Sequence, residues 1–251
     1  MKELKFVKYQ IFDTIKAIFI YYLIFILAMT SIIAISSNSS ANVHSSGIDF
    51  ATIIFLFVAG LNSFKSNFKF SMANNVTRKT FTKGLIIAVF PITLVMSVID
   101  LIVNRIINIF MKCPSTFDMI YGSFRKLNLF NNSELWVQTN DFYTLFGTII
   151  WQFAVYSSIF ILGILISLLY YRSNKFFKIV VSVAPVLLLI FISNANVVIV
   201  DSLNIDIGKL IASAFGWNSL NPYTAVLSFT VIILAYSSLI YLLVRKAIIK
   251  E

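Results

Sequence analysis

The 251-residue chain is 59% hydrophobic and only 12% charged, with a formal net charge of +10. A water-soluble domain of this length does not need so apolar a composition for its core, so the sequence reads as an all-α polytopic membrane protein. A basic chain invites nucleic acid as a partner, but these cations are sorted by side. Fifteen of the twenty Lys and Arg fall on one proposed face of the membrane, against three of the ten acids. This is the positive-inside pattern, with both termini cytoplasmic and basic faces that meet anionic membrane lipids. No nucleic-acid partner is expected.

Residues 1–16 predict an amphipathic interfacial helix, with Leu4, Val7, Ile11, Phe12 and Ile15 on one face. The first span follows at 17–35, long enough to cross a hydrocarbon core and too long for a signal-peptide core. A Ser/Asn-rich turn leads to a short second span at 48–64. The third span is assigned to 85–111 and contains Pro91, which removes a backbone hydrogen bond and permits a kink. Asp100 lies towards the outer end of that span, where Asn104 or Arg105 could partner it. Residues 112–141 are too mixed to span and too aromatic to be a free linker, so they predict a small extracellular cap or a pair of interfacial helices.

A fourth apolar run covers 142–171, in which Ala154/Ser158 and Gly163/Ser167 place small residues at helical spacing for close helix approach. Gln152 adds a polar group within that span. A basic turn at 172–178 precedes the fifth span, 179–200, and the sixth is 224–244. Between them Ile205, Leu210 and Phe215 sit in a segment too short and polar to cross, which reads as a re-entrant helix pair. Six spans with both termini on the basic side satisfy length, charge and parity together.

Residues for catalysis are missing from the pattern. There are one cysteine (Cys113) and one histidine (His44), far apart, so neither an internal disulfide nor a metal site is expected. Gly208-Lys209 is followed by Leu210 and preceded five residues earlier by Leu203, which is not the pattern of a phosphate loop. No catalytic residue and no cofactor is assigned to this chain.

The most informative stretch is 65–84, KSNFKFSMANNVTRKTFTKG, with five cations and no acid. Phe64, Phe68 and Met72 share a helical face, Asn74-Asn75 breaks the pattern, and Thr77 can cap a helix starting at Arg78. This stretch resembles the coupling segment of ABC-2 type ABC transporter permeases, which carries N-[VI]-[ST]-R-K-x-[FY]-x-x-G between the second and third spans. Asn75, Val76, Thr77, Arg78, Lys79, Phe81 and Gly84 match it. The same family joins its last two spans by a re-entrant helix pair ending near N-P-[FY], which Asn221, Pro222 and Tyr223 supply.

The resemblance implies a half-transporter. Two copies of this chain, or this chain and a paralogue, would assemble with separate ABC ATP-binding subunits that hold ATP and Mg. It implies ATPase coupling through Phe68, Met72, Asn75, Val76, Thr77, Arg78, Lys79 and Phe81, and an outer gate from Ile205 to Tyr223. The scarcity of ionisable groups in the spans and the 25 phenylalanines favour a hydrophobic or amphipathic cargo, a peptide (a toxin, bacteriocin or modulin) or else a lipid-like drug, in a bacterial plasma membrane. The alternative is a six-span scaffold or sensor without transport activity, which would share the hydropathy and charge pattern.

Overall fold

The computed structural model describes residues 2–38, 46–125, 136–183, 207–245 and 247. The described residues are helical, with no strand among them. The principal helices are α1 (Lys2–Asn38), α2 (Asp49–Ser63), α3 (Lys65–Ala73), α4 (Arg78–Phe110), α5 (Thr116–Ile120), α6 (Phe142–Arg172), α7 (Ile207–Ala214) and α8 (Pro222–Arg245). Five helical stretches are long and apolar enough to cross a membrane: α1, α2 continued by α3, α4, α6 and α8. Several such helices are the pattern of a multi-pass membrane protein. Of the predicted fifth span only the approach is described, with residues 175–183 helical.

The helix ends follow from local chemistry. α1 runs through residue 16 without a break, because no Gly or Pro interrupts residues 2–38, so the expected interfacial segment and first span form one helix. α4 starts seven residues before the predicted span, at Arg78, where the Thr77 hydroxyl accepts the Thr80 amide at 3.2 Å as an N-cap. Pro91 does not end α4, which continues to Phe110.

α6 is the hub. It packs against α2, α4 and α8, while α1 lies along the outer side of α4. Burial agrees, since 61% of the apolar stretch of α6 is inside the protein against 11% for α8. The α2–α6 crossing is made at Gly60 and Gly163. A Cβ on Gly163 would lie 2.5 Å from the Phe57 carbonyl oxygen, and one on Gly60 2.4 Å from that of Phe160. The small-residue pattern expected on α6 is used here, with Gly163 at the contact and Ala154 and Ser158 also buried. Outward faces of α1, α4 and α8 carry Phe19, Leu23, Leu27, Val95, Leu234 and Leu242, all exposed as lipid-facing side chains are.

Candidate functional site

Two regions of the bundle carry chemistry beyond apolar packing: a basic elbow at one end, and a buried polar layer towards the other.

The elbow is the turn from α3 to α4. α3 stops because Asn75 adopts a left-handed backbone (φ 54), with the Val76 amide on the Ser71 carbonyl at 3.0 Å and the Asn75 amide on Met72 at 3.2 Å. These two bonds form a Schellman motif, and asparagine is among the few side chains that tolerate this conformation. Thr77 then starts α4. Phe81 points inward, and Gly84 is where the Phe6 ring seats itself, since a Cβ there would lie 2.6 Å from Phe6 Cδ1. Most of the Asn75-to-Gly84 pattern is thus explained by the turn itself.

Beneath the turn is an aromatic clamp. Phe64, Phe68 and Phe81 are fully buried, with ring centroids 5.3 to 5.9 Å apart, and Tyr171 of α6 stands 5.6 Å from Phe64 and 5.8 Å from Phe68. Asn67 adds a 2.7 Å hydrogen bond to Gln10 of α1. Phe68 and Phe81 therefore hold the elbow to the bundle and do not face outward, and Met72 and Val76 pack partly against the same core. Asn75, Thr77, Arg78 and Lys79 are exposed, as are Lys65, Lys69 and Lys83. Arg78 is partly committed, donating from Nη1 to the Arg245 carbonyl at 2.8 Å, while Arg172 donates to the Leu243 carbonyl at 3.0 Å. Both satisfy carbonyls that the end of α8 leaves open, where cations also suit the helix dipole.

The polar layer spans four helices. The Asp100 carboxylate accepts from Tyr22 of α1 at 2.7 Å and from Tyr156 of α6 at 2.5 Å, with all three residues buried. Asn104 and Arg105 are not its partners. Asn104 is turned to the α4–α5 connection, donating to the Cys113 carbonyl at 3.0 Å and accepting from Gln138 at 2.9 Å. Residues four apart on one helix face the same side, but the tyrosines on the neighbouring helices reach the carboxylate first. Tyr21 shares a 2.7 Å hydrogen bond with Thr52 of α2, and Thr93 one of 2.8 Å with Ser157.

Asp49, at the start of α2, accepts the Thr116 amide at 2.9 Å through one oxygen. Its other oxygen and the amide of Gln152 alongside it make no hydrogen bond of full geometry to any described residue. Both side chains are buried. Gln152 was legible as an intramembrane polar group, but Asp49, Tyr22 and Tyr156 were not singled out. The available signal was that Asp49 and Asp100 are the two acids that fall inside the spans assigned from sequence, 48–64 and 85–111.

A short cap closes this end. Ser115 and Asp118 form a capping box at α5, with Ser115 Oγ donating to the carboxylate at 2.8 Å, and burial pushes the Asp118 carboxyl above the usual carboxylate range. Phe117 and Tyr121 pack on Trp151 of α6, and the Tyr121 hydroxyl donates to the Phe215 carbonyl at 2.6 Å. Phe215 follows α7 and packs on Trp217 and Phe229. Gly216 (φ +65) turns the chain back, and Asn221 and Pro222 lead into α8, with the Asn221 side chain accepting the Tyr223 amide at 3.0 Å. Leu210 and Tyr223 are exposed, Tyr223 beside Tyr143. Ile205 lies outside the described residues.

Comparison with protein families, with curated proteins and with solved structures finds no match. The fold and its sites define a helical, multi-pass membrane protein with a basic elbow at one end and a sealed polar layer near the other.

Proposed function

We propose that the chain is the membrane-spanning permease subunit of an ABC-2 type exporter. The elbow docks a separate ATP-binding subunit, which holds ATP and Mg, and a second permease copy or a paralogue completes the path. The basic end faces the cytoplasm of a bacterial cell, following the positive-inside rule. The cargo is hydrophobic or amphipathic, most simply a peptide exported as a toxin or modulin or removed for self-immunity. Six spans are assigned, the fifth over 179–200, with 207–223 as part of the outer re-entrant pair.

The observation that carries the reading is the build of the elbow. A cationic, exposed tip (Lys69, Asn75, Lys79) stands on a buried aromatic clamp that joins α2, α3, α4 and α6, with α1 tied in through Gln10. A push on such a tip moves four spans together, as a relay from an ATPase requires. Side chains of α2, α4 and α6 fill the centre of the bundle, so the cargo path is assigned between two copies rather than through one.

The test is purification of the intact chain from native membranes in mild detergent, followed by mass spectrometry of accompanying proteins. A stoichiometric soluble ATPase is expected, lost in the Lys69→Glu/Lys79→Glu variant. These two positions are exposed and neither takes part in the Arg78–Arg245 hydrogen bond, so the change leaves that bond in place. A chain that purifies without an ATPase under conditions that preserve complexes favours the scaffold or sensor reading.

A further inference from the structure

At the basic end, α4 begins where α8 finishes, and the two helix ends enclose a cavity of about 240 Å³ lined by Arg78, Lys79, Thr82, Tyr241 and Arg245. Three cations converge on it. Arg78 spends one donor on the Arg245 carbonyl, and the Thr82 hydroxyl is satisfied by the Arg78 carbonyl at 2.9 Å. No ion pair to Arg78, Lys79 or Arg245 is found among the described residues. Two guanidinium groups and an ammonium held around one cavity repel each other unless an anion sits between them. The guanidinium donors left over form the planar fork that matches phosphate oxygens.

The setting decides which phosphate. The cavity lies at the ends of two apolar helices, at the depth where Arg, Lys and Tyr meet headgroups. Beyond it the flanks of both helices carry exposed apolar side chains, Leu234 and Leu242 on α8 and Ile87 on α4, although Lys83 is also exposed beside Thr82. A ligand with a phosphate at one end and acyl chains at the other satisfies both surfaces, whereas a free anion satisfies one.

We propose that the cleft between the start of α4 and the end of α8 binds the headgroup phosphate of an anionic phospholipid, with Arg78, Lys79 and Arg245 as its ligands and the acyl chains along the apolar flanks of the two helices. The site shares Arg78 and Lys79 with the docking elbow but needs no second subunit, so lipid retention by the chain alone and ATPase co-purification fail separately.

The experiment uses the full chain, reconstituted in mixed phosphatidylcholine/phosphatidylglycerol bilayers, released into mild detergent and weighed by native mass spectrometry. Retention of phosphatidylglycerol over phosphatidylcholine is expected. The Arg78→Gln/Arg245→Gln variant should lower that retention about 30-fold, taking each basic group near a headgroup as a comparable contribution. Arg78→Lys/Arg245→Lys keeps the charge and should restore most of it, which separates loss of the site from loss of the fold. Lys69→Gln/Lys175→Gln removes the same charge outside the cavity and should leave retention within about twofold. Equal retention of both lipids overturns the proposal, and so does a loss as large in the Lys69/Lys175 variant. Inorganic phosphate that displaces the lipid as well as glycerol phosphate does would make the ligand a free anion, and an acidic protein covering the cleft in place of lipid would also overturn it.

Discussion

The α2–α6 crossing offers the sharpest quantitative test of the packing. A Cβ on Gly163 would sit 2.5 Å from the Phe57 carbonyl oxygen, 3.0 Å from Gly60 Cα and 3.1 Å from the Leu61 amide nitrogen. All three obstacles are backbone atoms, so no rotamer change relieves the clash. A carbon approaches a carbonyl oxygen to about 3.3 Å at closest, so Gly163→Ala must part the helices by about 0.8 Å at the crossing. Overpacking of this kind costs about 1–3 kcal/mol. Alanine returns about 1 kcal/mol in helix propensity, which leaves a net loss of up to about 2 kcal/mol, centred near 1. At this chain length that lowers the midpoint of thermal unfolding by about 4 °C. Gly147→Ala is the matched control on the same helix, because its Cβ would meet only the tip of the Phe117 ring, at 3.3 Å. The propensity gain then dominates and the midpoint should hold or rise. The assay is thermal unfolding of the purified chain in detergent, followed by tryptophan fluorescence. A Gly163→Ala variant that unfolds with the wild type, or a Gly147→Ala variant that falls as far, would refute the crossing.

Two further predictions concern the polar layer and its cap. Tyr156→Phe removes one of the two side-chain donors to the buried Asp100 carboxylate and should cost about 2 kcal/mol. In an Asp100→Leu background the same change should cost far less, and equal costs in both backgrounds would mean that the two side chains are not coupled. Burial raises the Asp118 carboxyl above its ordinary range, so the folded cap holds a proton that the unfolded chain has already released. Stability of α5 should therefore be full below the usual carboxylate range and fall as pH rises through the raised value. Hydrogen exchange at residues 116–121, corrected for intrinsic rates, reads this out, and Asp118→Asn should remove the dependence. A protection that rises with pH would show that the Ser115 hydrogen bonds outweigh burial.

How far the sequence could be read depends on the distance over which each feature is built. Local signals were read at the elbow: Asn74-Asn75 as a stop and Thr77 as a cap both correspond to bonds within five residues. Apolar runs marked 48–64, 142–171 and 224–244 to within two residues of α2, α6 and α8, because a run of that length has few other stable fates, whereas α1 and α4 begin well before 17 and 85. The direction in which the elbow aromatics point was not legible. Phe68 and Met72 at helical spacing define a face, but only Tyr171, more than a hundred residues later, shows that this face is turned inward. The same holds for Asp100. Its nearest candidates in sequence lie four and five residues away, and its actual partners are 78 and 56 residues away on other helices.

The misplaced partner changes what the charge in α4 implies. A carboxylate at a membrane rim would be a solvated anchor, tolerant of Asn or Glu. A carboxylate closed in by Tyr22 and Tyr156, with Asp49 and Gln152 buried in the same part of the bundle, is a fixed internal contact among α1, α4 and α6. Buried hydrogen-bonded groups of this kind specify register between helices, because a shift of one turn leaves every member unpaired. The basic elbow and the polar layer then divide the labour. The elbow presents charge outward on a clamped base, and the layer keeps the spans above it in one alignment. Were an ATP-binding subunit docked at the elbow as proposed, a displacement at Lys79 would be carried along α4 with little side-chain slippage.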